Sequence, residues 1–378
     1  MRPASHISPE IVQTTAMARL KVRLLSEGLR VEPNADEIPR KPSHRVRSGS
    51  CGGLDLVLPD GTWINAPVNE RFARRSVLRL VLTETGPAID DRGQRIPVEL
   101  VPCPGYYDHQ TTSGTAMVRL AQLCSDRVGI GLTNVCTFWR SRSGRCRFCS
   151  IGLNVRDEDA RKPIDDIVEA TLAALADPIA PARHILLGGG TPNDEDTGAP
   201  QIAELASRLR ARTDVSIYAM LAPPRDLGLL ALLRDAGVDE IGLNIELFTD
   251  RAARRYIPAK HRAIGHDRYW YALERCVELF GPLNTRSITV VGLEEPAHTV
   301  AGVSRLASMG VLPILSPLRP LAGTHLEEHA TQTSNNMWEL LQRAASAAAE
   351  FDVPLGPLCI PCQSNTLTLP GDRRYRYY

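Results

Sequence analysis

The chain has 378 residues, 43% of them hydrophobic and 23% charged, and a formal net charge of +1 at pH 7. That length holds one large α/β barrel with an appendage, or two ordinary domains, and the composition is that of a globular enzyme. The charge balance gives no case for nucleic acid or an anionic membrane surface as the main partner.

The opening residues Met1-Arg2-Pro3-Ala4-Ser5-His6 carry no apolar signal core, and no apolar run approaches membrane-spanning length. A cytoplasmic location is expected. Nine cysteines is an odd count, so at least one stays unpaired. Three of them clustered, without a secretion signal, read as metal or redox chemistry rather than a disulfide framework.

Residues 1–125 do not follow a βα repeat and predict an α+β appendage. Ser8-Pro9 starts a helix that Gly28 can end. Leu54–Leu58 and Trp63-Ile64 form a hairpin across Pro59-Asp60-Gly61. A second β-rich stretch runs Ser76 to Leu82, turns near Asp91-Arg92-Gly93 and resumes from Ile96 to Val101. Tyr106, Tyr107 and His109 follow in a Pro/Gly loop, either reaching over a site or simply pinning the loop.

From Asp126 the pattern becomes strand, loop, helix, repeated. Strands are predicted at Arg127–Leu132, His184–Leu187, Val215–Leu221, Glu240–Leu247, Arg286–Val291 and Leu312–Leu318. Helices are predicted at Asp165–Leu175, Gln201–Arg210, Leu227–Ala236, Asp267–Phe280 and Val300–Met309. This alternation argues for a parallel sheet, and at this size a partial or full (βα)6-8 barrel over residues 126–330. Residues 331–378 add a helix (Asn335–Phe351), a candidate seventh strand (Leu355–Cys362) and a basic, tyrosine-rich tail read as a disordered terminus.

The chemistry-bearing residues fall where the strands end. Cys136 follows the first strand, Gly188-Gly189-Gly190-Thr191-Pro192 ends the second, and Glu246 ends the fourth. Gly292-Leu293-Glu294-Glu295 follows the fifth and Arg319 the sixth. The C-terminal face is where barrel active sites assemble.

Cys136, Cys146 and Cys149 lie as C-x9-C-x2-C. A closed zinc site needs four ligands, usually two close pairs, and no cysteine or histidine nearby completes this set. Three thiolates can instead hold three corners of a four-iron cluster and leave one iron open. The four arginines in the loop (Arg140, Arg142, Arg145 and Arg147) could offset cluster charge or dock an acidic electron donor. A solvated basic loop is the alternative.

These residues resemble the radical SAM superfamily, whose usual signature is C-x3-C-x2-C with an aromatic before the last cysteine. Phe148 matches that aromatic, which the resemblance places near the adenine of S-adenosylmethionine (SAM). The wider first gap is a departure. Loop closure costs only about 0.6 kcal/mol per doubling of length, against metal-site energies on the order of 10 kcal/mol. By the same resemblance Gly188, Gly189, Gly190 and Thr191 bind the methionine amino group, three glycines letting a ligand approach the backbone. Their lack of a lysine and of G-x-G-x-x-G spacing weakens a phosphate-loop reading.

Asn244-Ile245-Glu246, with Arg254-Arg255-Tyr256-Ile257-Pro258, resembles the fourth-strand segment of the biotin synthase and hydrogenase-maturase branch, where an Arg-x-Glu contacts SAM. Glu246 carries over, and a salt bridge to a nearby arginine is its other reading. Asn244 replaces the arginine, making Arg319 the candidate partner for the SAM carboxylate. Val290-Val291-Gly292-Leu293-Glu294-Glu295 resembles that branch's stretch near the adenosine, which brings in Glu295. More narrowly, Gly105-Tyr106-Tyr107-Asp108 and Thr112-Ser113-Gly114 resemble radical SAM proteins of nitrilase gene clusters.

Cys359-Ile360-Pro361-Cys362 is expected to face the site, as a hydrogen-atom donor or as a ligand pair for a second cluster, with a reduced structural pair as the bland reading. Cys124 and Cys276 read as small core hydrophobes, and Cys51 and Cys103 carry no signal. The resemblance implies an oxygen-sensitive enzyme with a [4Fe-4S] cluster and SAM, reduced by a flavodoxin- or ferredoxin-type donor. A 5′-deoxyadenosyl radical would take hydrogen from a small polar metabolite. Modification of tRNA or a peptide, or a non-catalytic metal-binding scaffold, are the alternatives.

Overall fold

The computed structural model describes residues 9–35, 52–141, 144–156, 158–193 and 195–378. The readings made of Ser8, Cys51 and Arg142 lie outside the described residues.

Six parallel strands form the centre: β1 (Arg127–Gly131), β2 (His184–Gly188), β3 (Ile217–Leu221), β4 (Glu240–Leu243), β5 (Thr285–Val291) and β6 (Leu312–Pro317). They pair in chain order, with Arg127 opposite His184 and Gly131 opposite Gly188 in the first pair. The crossover helices are α1 (Ile164–Leu175), α2 (Ala199–Arg210), α3 (Gly228–Asp235), α4 (Gly265–Phe280) and α5 (Pro296–Ser308), followed by α6 (Ser334–Ala349). Each turns one apolar stripe to the sheet. In α1 the buried Ile167, Ala170, Thr171 and Ala174 recur at helical spacing. In α4 the fully buried Cys276 lies between Leu273 and Phe280, as its helical face predicted, and burial pushes its thiol pKa up.

Every predicted barrel strand and helix is present, with ends shifted by a few residues. The sheet is a curled half-barrel whose outer strands β6 and Gln122–Cys124 are not paired with each other. The expectation of six to eight units thus resolves to six, and to the partial barrel. A seventh strand exists, but it is Gln122–Cys124, antiparallel to β1, and not Leu355–Cys362. Three prolines (Pro354, Pro357 and Pro361) withdraw backbone donors from that segment, so it cannot sustain a ladder. It is tied to β6 by single bonds, Gly356 N to the Pro313 carbonyl (2.8 Å) and Leu367 N to the Leu315 carbonyl (2.8 Å).

The appendage opens with the helix Pro9–Glu27, ended by Gly28 at φ +73°, where a Cβ would also strike Ala73 at 2.6 Å. The first predicted hairpin is Leu54–Val57 against Trp63–Ala66. In the second stretch, Leu78–Thr83 pairs first with Gly86–Asp91, a strand that the sequence reading left unassigned between Leu82 and the turn near Asp91. Gly86–Asp91 then turns at Arg92 (φ 54°) and Gly93 (φ 96°) to pair with Gln94–Pro97.

One hydrophobic core joins this appendage to the barrel and the C-terminal segment. Leu24, Leu56, Ile64, Leu78 and Ile89 pack with Leu312, Leu315, Leu340 and Leu367. Each such side chain contributes about 1.5–3 kcal/mol on burial. The tail is ordered, which corrects the expectation of a disordered terminus. Arg376 N donates to the Leu358 carbonyl (3.0 Å), Tyr375 hydroxyl to the Leu355 carbonyl (2.7 Å) and Tyr378 hydroxyl to Glu240 Oε1 (2.5 Å). Tyr375 and Tyr378 find partners inside the fold, whereas Tyr377 faces solvent at 60% exposure.

Candidate active site

A cavity of about 820 Å³ runs through the half-barrel, lined from β1 across to β6. Cys136, Cys146, Phe148 and Cys149 line it, as do Gly188–Thr191, Glu246 and Arg319. Sequence positions spread over 184 residues (136 to 319) thus meet in one space.

Cys136 precedes the short helix Thr137–Arg140, and the loop beyond it is fastened to the barrel by backbone bonds. Thr137 N donates to the Thr191 carbonyl (2.8 Å) and Arg147 N to the Tyr256 carbonyl (2.8 Å). Cys149 N donates to the Cys146 carbonyl (3.2 Å), and Cys149 Sγ accepts from Ile151 N (3.4 Å). Burial pushes the Cys149 thiol up to about 12, and the nearby Cys136 and Glu246 charges add to it. Burial and Glu246 push Cys146 up as well. Such thiols ionise only when a cation takes the proton's place.

The three sulfurs do not converge within 4.8 Å of one another as ligands of a single ion would. Three thiols spread along one cavity wall suit a multi-iron cluster, one thiolate to each iron. A [4Fe-4S] cluster therefore fits this wall better than zinc.

The glycine triplet also has a packing role. A Cβ on Gly189 (φ +136°) would stand 2.7 Å from the Thr133 carbonyl oxygen, and one on Gly190 would stand 2.3 Å from that of Val135. The missing side chains admit the cluster loop itself, and Gly190 N donates to the Thr133 carbonyl at 2.7 Å. Gly189 and Gly190 thus hold β2's end against the cysteine loop, and the backbone of the whole triplet borders the cavity.

Glu246 sits past the end of β4 in a left-handed conformation (φ 66°), held by Glu246 N to the Ile288 carbonyl (3.0 Å) and Val290 N to the Glu246 carbonyl (2.9 Å). A non-glycine residue is kept there only when its surroundings over-determine it. Its carboxylate pairs with Lys260 at 2.9 Å, so the salt bridge read as its alternative exists, with a lysine in place of an arginine. Lys260 Nζ also donates to the Asn244 carbonyl (3.0 Å). Burial works against the ammonium, but Glu246, Tyr269 and Cys146 hold its pKa above the usual lysine range.

Lys260 is the site residue that sequence reasoning missed. It lines the cavity from the helix Pro258–Ala263. Proline at that helix's first position was visible, but nothing local shows that the helix folds over the end of β4.

Arg319 donates to the Asn65 carbonyl of the appendage, while its buried Nη1 makes no hydrogen bond. Phe148 packs with Leu247, Leu293 and Leu318. Two expected residues do not join them. Glu295 is exposed at the start of α5 and does not line the cavity; with Pro296 at the first helical position, its side chain points to solvent. Its neighbour Glu294 is turned inward instead, accepting from Phe248 N (2.7 Å) and Thr249 N (2.8 Å) as a loop clamp.

Cys359 and Cys362 are likewise not beside the cysteine loop. They gather with Asp126 and His184 at the N-terminal ends of β1 and β2, the opposite end of the strands, and only Cys362 touches the cavity. A five-residue strand separates the two ends by roughly 16 Å. Cys124, read as a small core hydrophobe, is buried at 1% exposure and is disulfide-bonded. Tyr106 and Tyr107 pin their loop: Tyr106 hydroxyl donates to the Ala121 carbonyl (3.1 Å), and Leu123 N donates to the Tyr107 hydroxyl (3.0 Å).

Residues 139–307 match the family model described as the radical SAM superfamily. No curated protein matches the chain by sequence. Among solved structures the chain is similar to methylornithine synthase (PylB), at 15% identity over 66% of this chain and 79% of that one, TM-score 0.45. It is similar to a radical SAM methyltransferase from Sphaerobacter thermophilus, at 14% identity over 74% and 75%, TM-score 0.44. A third is coproporphyrinogen III oxidase (HemN) from Escherichia coli, at 17% identity over 45% of this chain and 41% of that one, TM-score 0.36. The match to the oxidase spans less than half of its length. No helix among the described residues is long and apolar enough to cross a membrane. The chain therefore carries a radical SAM domain over residues 139–307, a segment that takes in Cys146 and Cys149 and runs through α5; domains of this family belong to enzymes that use a [4Fe-4S] cluster and S-adenosylmethionine.

Proposed function

We propose that the enzyme abstracts hydrogen from a small polar metabolite held in the half-barrel, below the cofactors. One observation carries this: the cavity that the three thiols line continues past them to a polar lower half, lined by Arg127, Tyr218 and Arg286. A purely apolar substrate would leave the buried Tyr218 hydroxyl without a hydrogen bond. Tyr218 hydroxyl is buried and makes no hydrogen bond, and its ring lies 4.6 Å from the Arg286 guanidinium. Arg286 in turn pairs with Glu240.

Cys136, Cys146 and Cys149 would hold the cluster, and Gly188–Thr191 with Glu246 would take the SAM amino group. Arg319, with a buried donor to spare, would take the carboxylate, and Phe148 would pack on the adenine. Lys260 pairs with Glu246 at the edge of this space. When bound, the cluster would supply the one-electron reduction that cleaves SAM to methionine and a hydrogen-abstracting 5′-deoxyadenosyl radical. The surrounding residues position substrate and exclude water from the reaction.

Arg140 and Arg147 are exposed on the outer side of the cysteine loop, where an acidic flavodoxin- or ferredoxin-type donor would dock. Arg145 instead stacks on Trp139, 4.1 Å from the ring centre.

Anaerobic reconstitution with dithionite and SAM tests the reading. The protein should release 5′-deoxyadenosine, faster with the true substrate, and Cys149→Ala should release none. SAM cleavage that responds to tRNA or a peptide and to no small metabolite would overturn the substrate assignment.

A further inference from the structure

Asp126, His184, Cys359 and Cys362 present four donor atoms that all lie within 4.8 Å of one another. His184 Nε2 stands 3.2 Å from Asp126 Oδ1, 3.2 Å from Cys362 Sγ and 3.5 Å from Cys359 Sγ. Asp126 Oδ1 stands 3.5 Å from Cys359 Sγ and 3.7 Å from Cys362 Sγ. A tetrahedron with zinc–sulfur bonds of about 2.3 Å and zinc–nitrogen or –oxygen bonds of about 2.0–2.1 Å has edges of about 3.3–3.8 Å. The five separations given, 3.2–3.7 Å, lie close to those edges, and the two sulfurs are within 4.8 Å of each other.

From this geometry we infer a second metal centre, a mononuclear zinc site built of two thiolates, one imidazole and one carboxylate. Two sulfurs with one nitrogen and one oxygen, set tetrahedrally, suit zinc above magnesium, calcium or copper(II). A two-iron cluster distributes its ligands as one pair on each iron, so ligands of different irons stand farther apart than the edges of a single tetrahedron. The protein fills all four positions, which makes the site closed and structural rather than catalytic.

Burial supplies the energetic reason. Cys359 is 0%, Cys362 3% and His184 1% exposed. The Asp126 side chain is 12% exposed. The Arg127 guanidinium beside the group offsets part of the charge that two thiolates and a carboxylate would carry, and a divalent cation would offset the rest. The Tyr378 ring lies stacked on His184, with centroids 4.5 Å apart, and shields the site from solvent.

The site also has a mechanical use. Asp126 and His184 belong to the β1 and β2 side of an open sheet, whereas the chain carrying Cys359 and Cys362 is pinned to β6 on the other edge. Zinc would staple that segment across the base of the half-barrel. Asn365 and Thr366, which follow Cys362, line the lower cavity and are fixed by the same staple.

The test uses the full chain with Cys136, Cys146 and Cys149 all changed to alanine, which removes the iron cluster. Metal analysis should give about one zinc per chain and no iron, and adding Cys359→Ser and Cys362→Ser should bring zinc below about a tenth of that. X-ray absorption at the zinc edge of the otherwise unaltered chain should show two sulfur and two nitrogen or oxygen neighbours, and it decides the matter even if the serine variant does not fold. Iron retained in the triple-alanine protein, zinc that survives the serine changes, or a zinc shell without two sulfurs would each overturn the inference.

Discussion

The two ends of the half-barrel treat cysteine in opposite ways. At the C-terminal ends of the strands three thiols spread along a wall, too far apart to share one ion, and face an interior cavity. At the N-terminal ends two thiols, an imidazole and a carboxylate gather with their donor atoms within 4.8 Å of one another. Loaded as proposed, the first arrangement would leave a coordination position for a reactant and the second would leave none. The lesson is that ligand number and spread, more than the presence of cysteine, separate a working metal centre from a structural one.

The largest effect that sharpens this contrast comes from Cys149→Ala. It should abolish 5′-deoxyadenosine formation, a loss of more than a hundredfold by chromatographic assay, while the zinc content stays unchanged. If zinc falls with the cluster, the two ends are not independent.

Lys260→Met comes next. It leaves the Glu246 carboxylate facing Cys146 without its cation. Breaking a buried pair in this way costs about 3–5 kcal/mol. Denaturant unfolding should show that loss, with weaker SAM binding by calorimetry. Unchanged stability would mean that water already reaches the pair.

Gly190→Ala tests the packing role of the triplet. The added methyl meets the Val135 carbonyl and pushes the loop bearing Cys136 outward. A cost of about 1–3 kcal/mol is expected, together with lower iron content per chain. Full iron loading would contradict the claim that these glycines serve the loop.

A smaller effect lies away from both ends. Lys21 is buried, donating to the Gln363 (2.9 Å) and Thr368 (2.6 Å) carbonyls, and burial lowers its pKa to about 7 with Asp60 opposing. Its folded pKa is below its unfolded one, so the unfolded chain binds the extra proton. Stability should therefore rise with pH above about 7, by at most about 1.4 kcal/mol per unit, and level off near the unfolded lysine value of about 10.4. Thermal melts at stepped pH should show the rise, and Lys21→Met should remove it. Glu295→Ala should change neither activity nor stability by more than about 0.5 kcal/mol, since the side chain faces solvent.

Much of the barrel was legible because its signals are local. Runs such as His184–Leu187 and helical stripes such as Ile167, Ala170 and Ala174 state their own periods, and the polar residues just beyond each strand mark one face. The cysteine spacing carried its chemistry in the same way. Lys260 and the Asp126–His184–Cys359–Cys362 group were not legible, because their meaning comes from which distant segments the topology superposes. Cys359-x-x-Cys362 announced a ligand pair, but its partners lie 175 to 236 residues away. Proline and aspartate likewise hid the strand Gly86–Asp91, which tertiary pairing overrides.

The central claim is that one iron at the upper face has no protein ligand and receives SAM. Electron paramagnetic resonance of the dithionite-reduced, oxygen-protected protein tests it directly. The account predicts that adding SAM shifts the g values of the reduced [4Fe-4S] signal. A signal that SAM leaves unaltered, at concentrations where calorimetry shows binding, would contradict it.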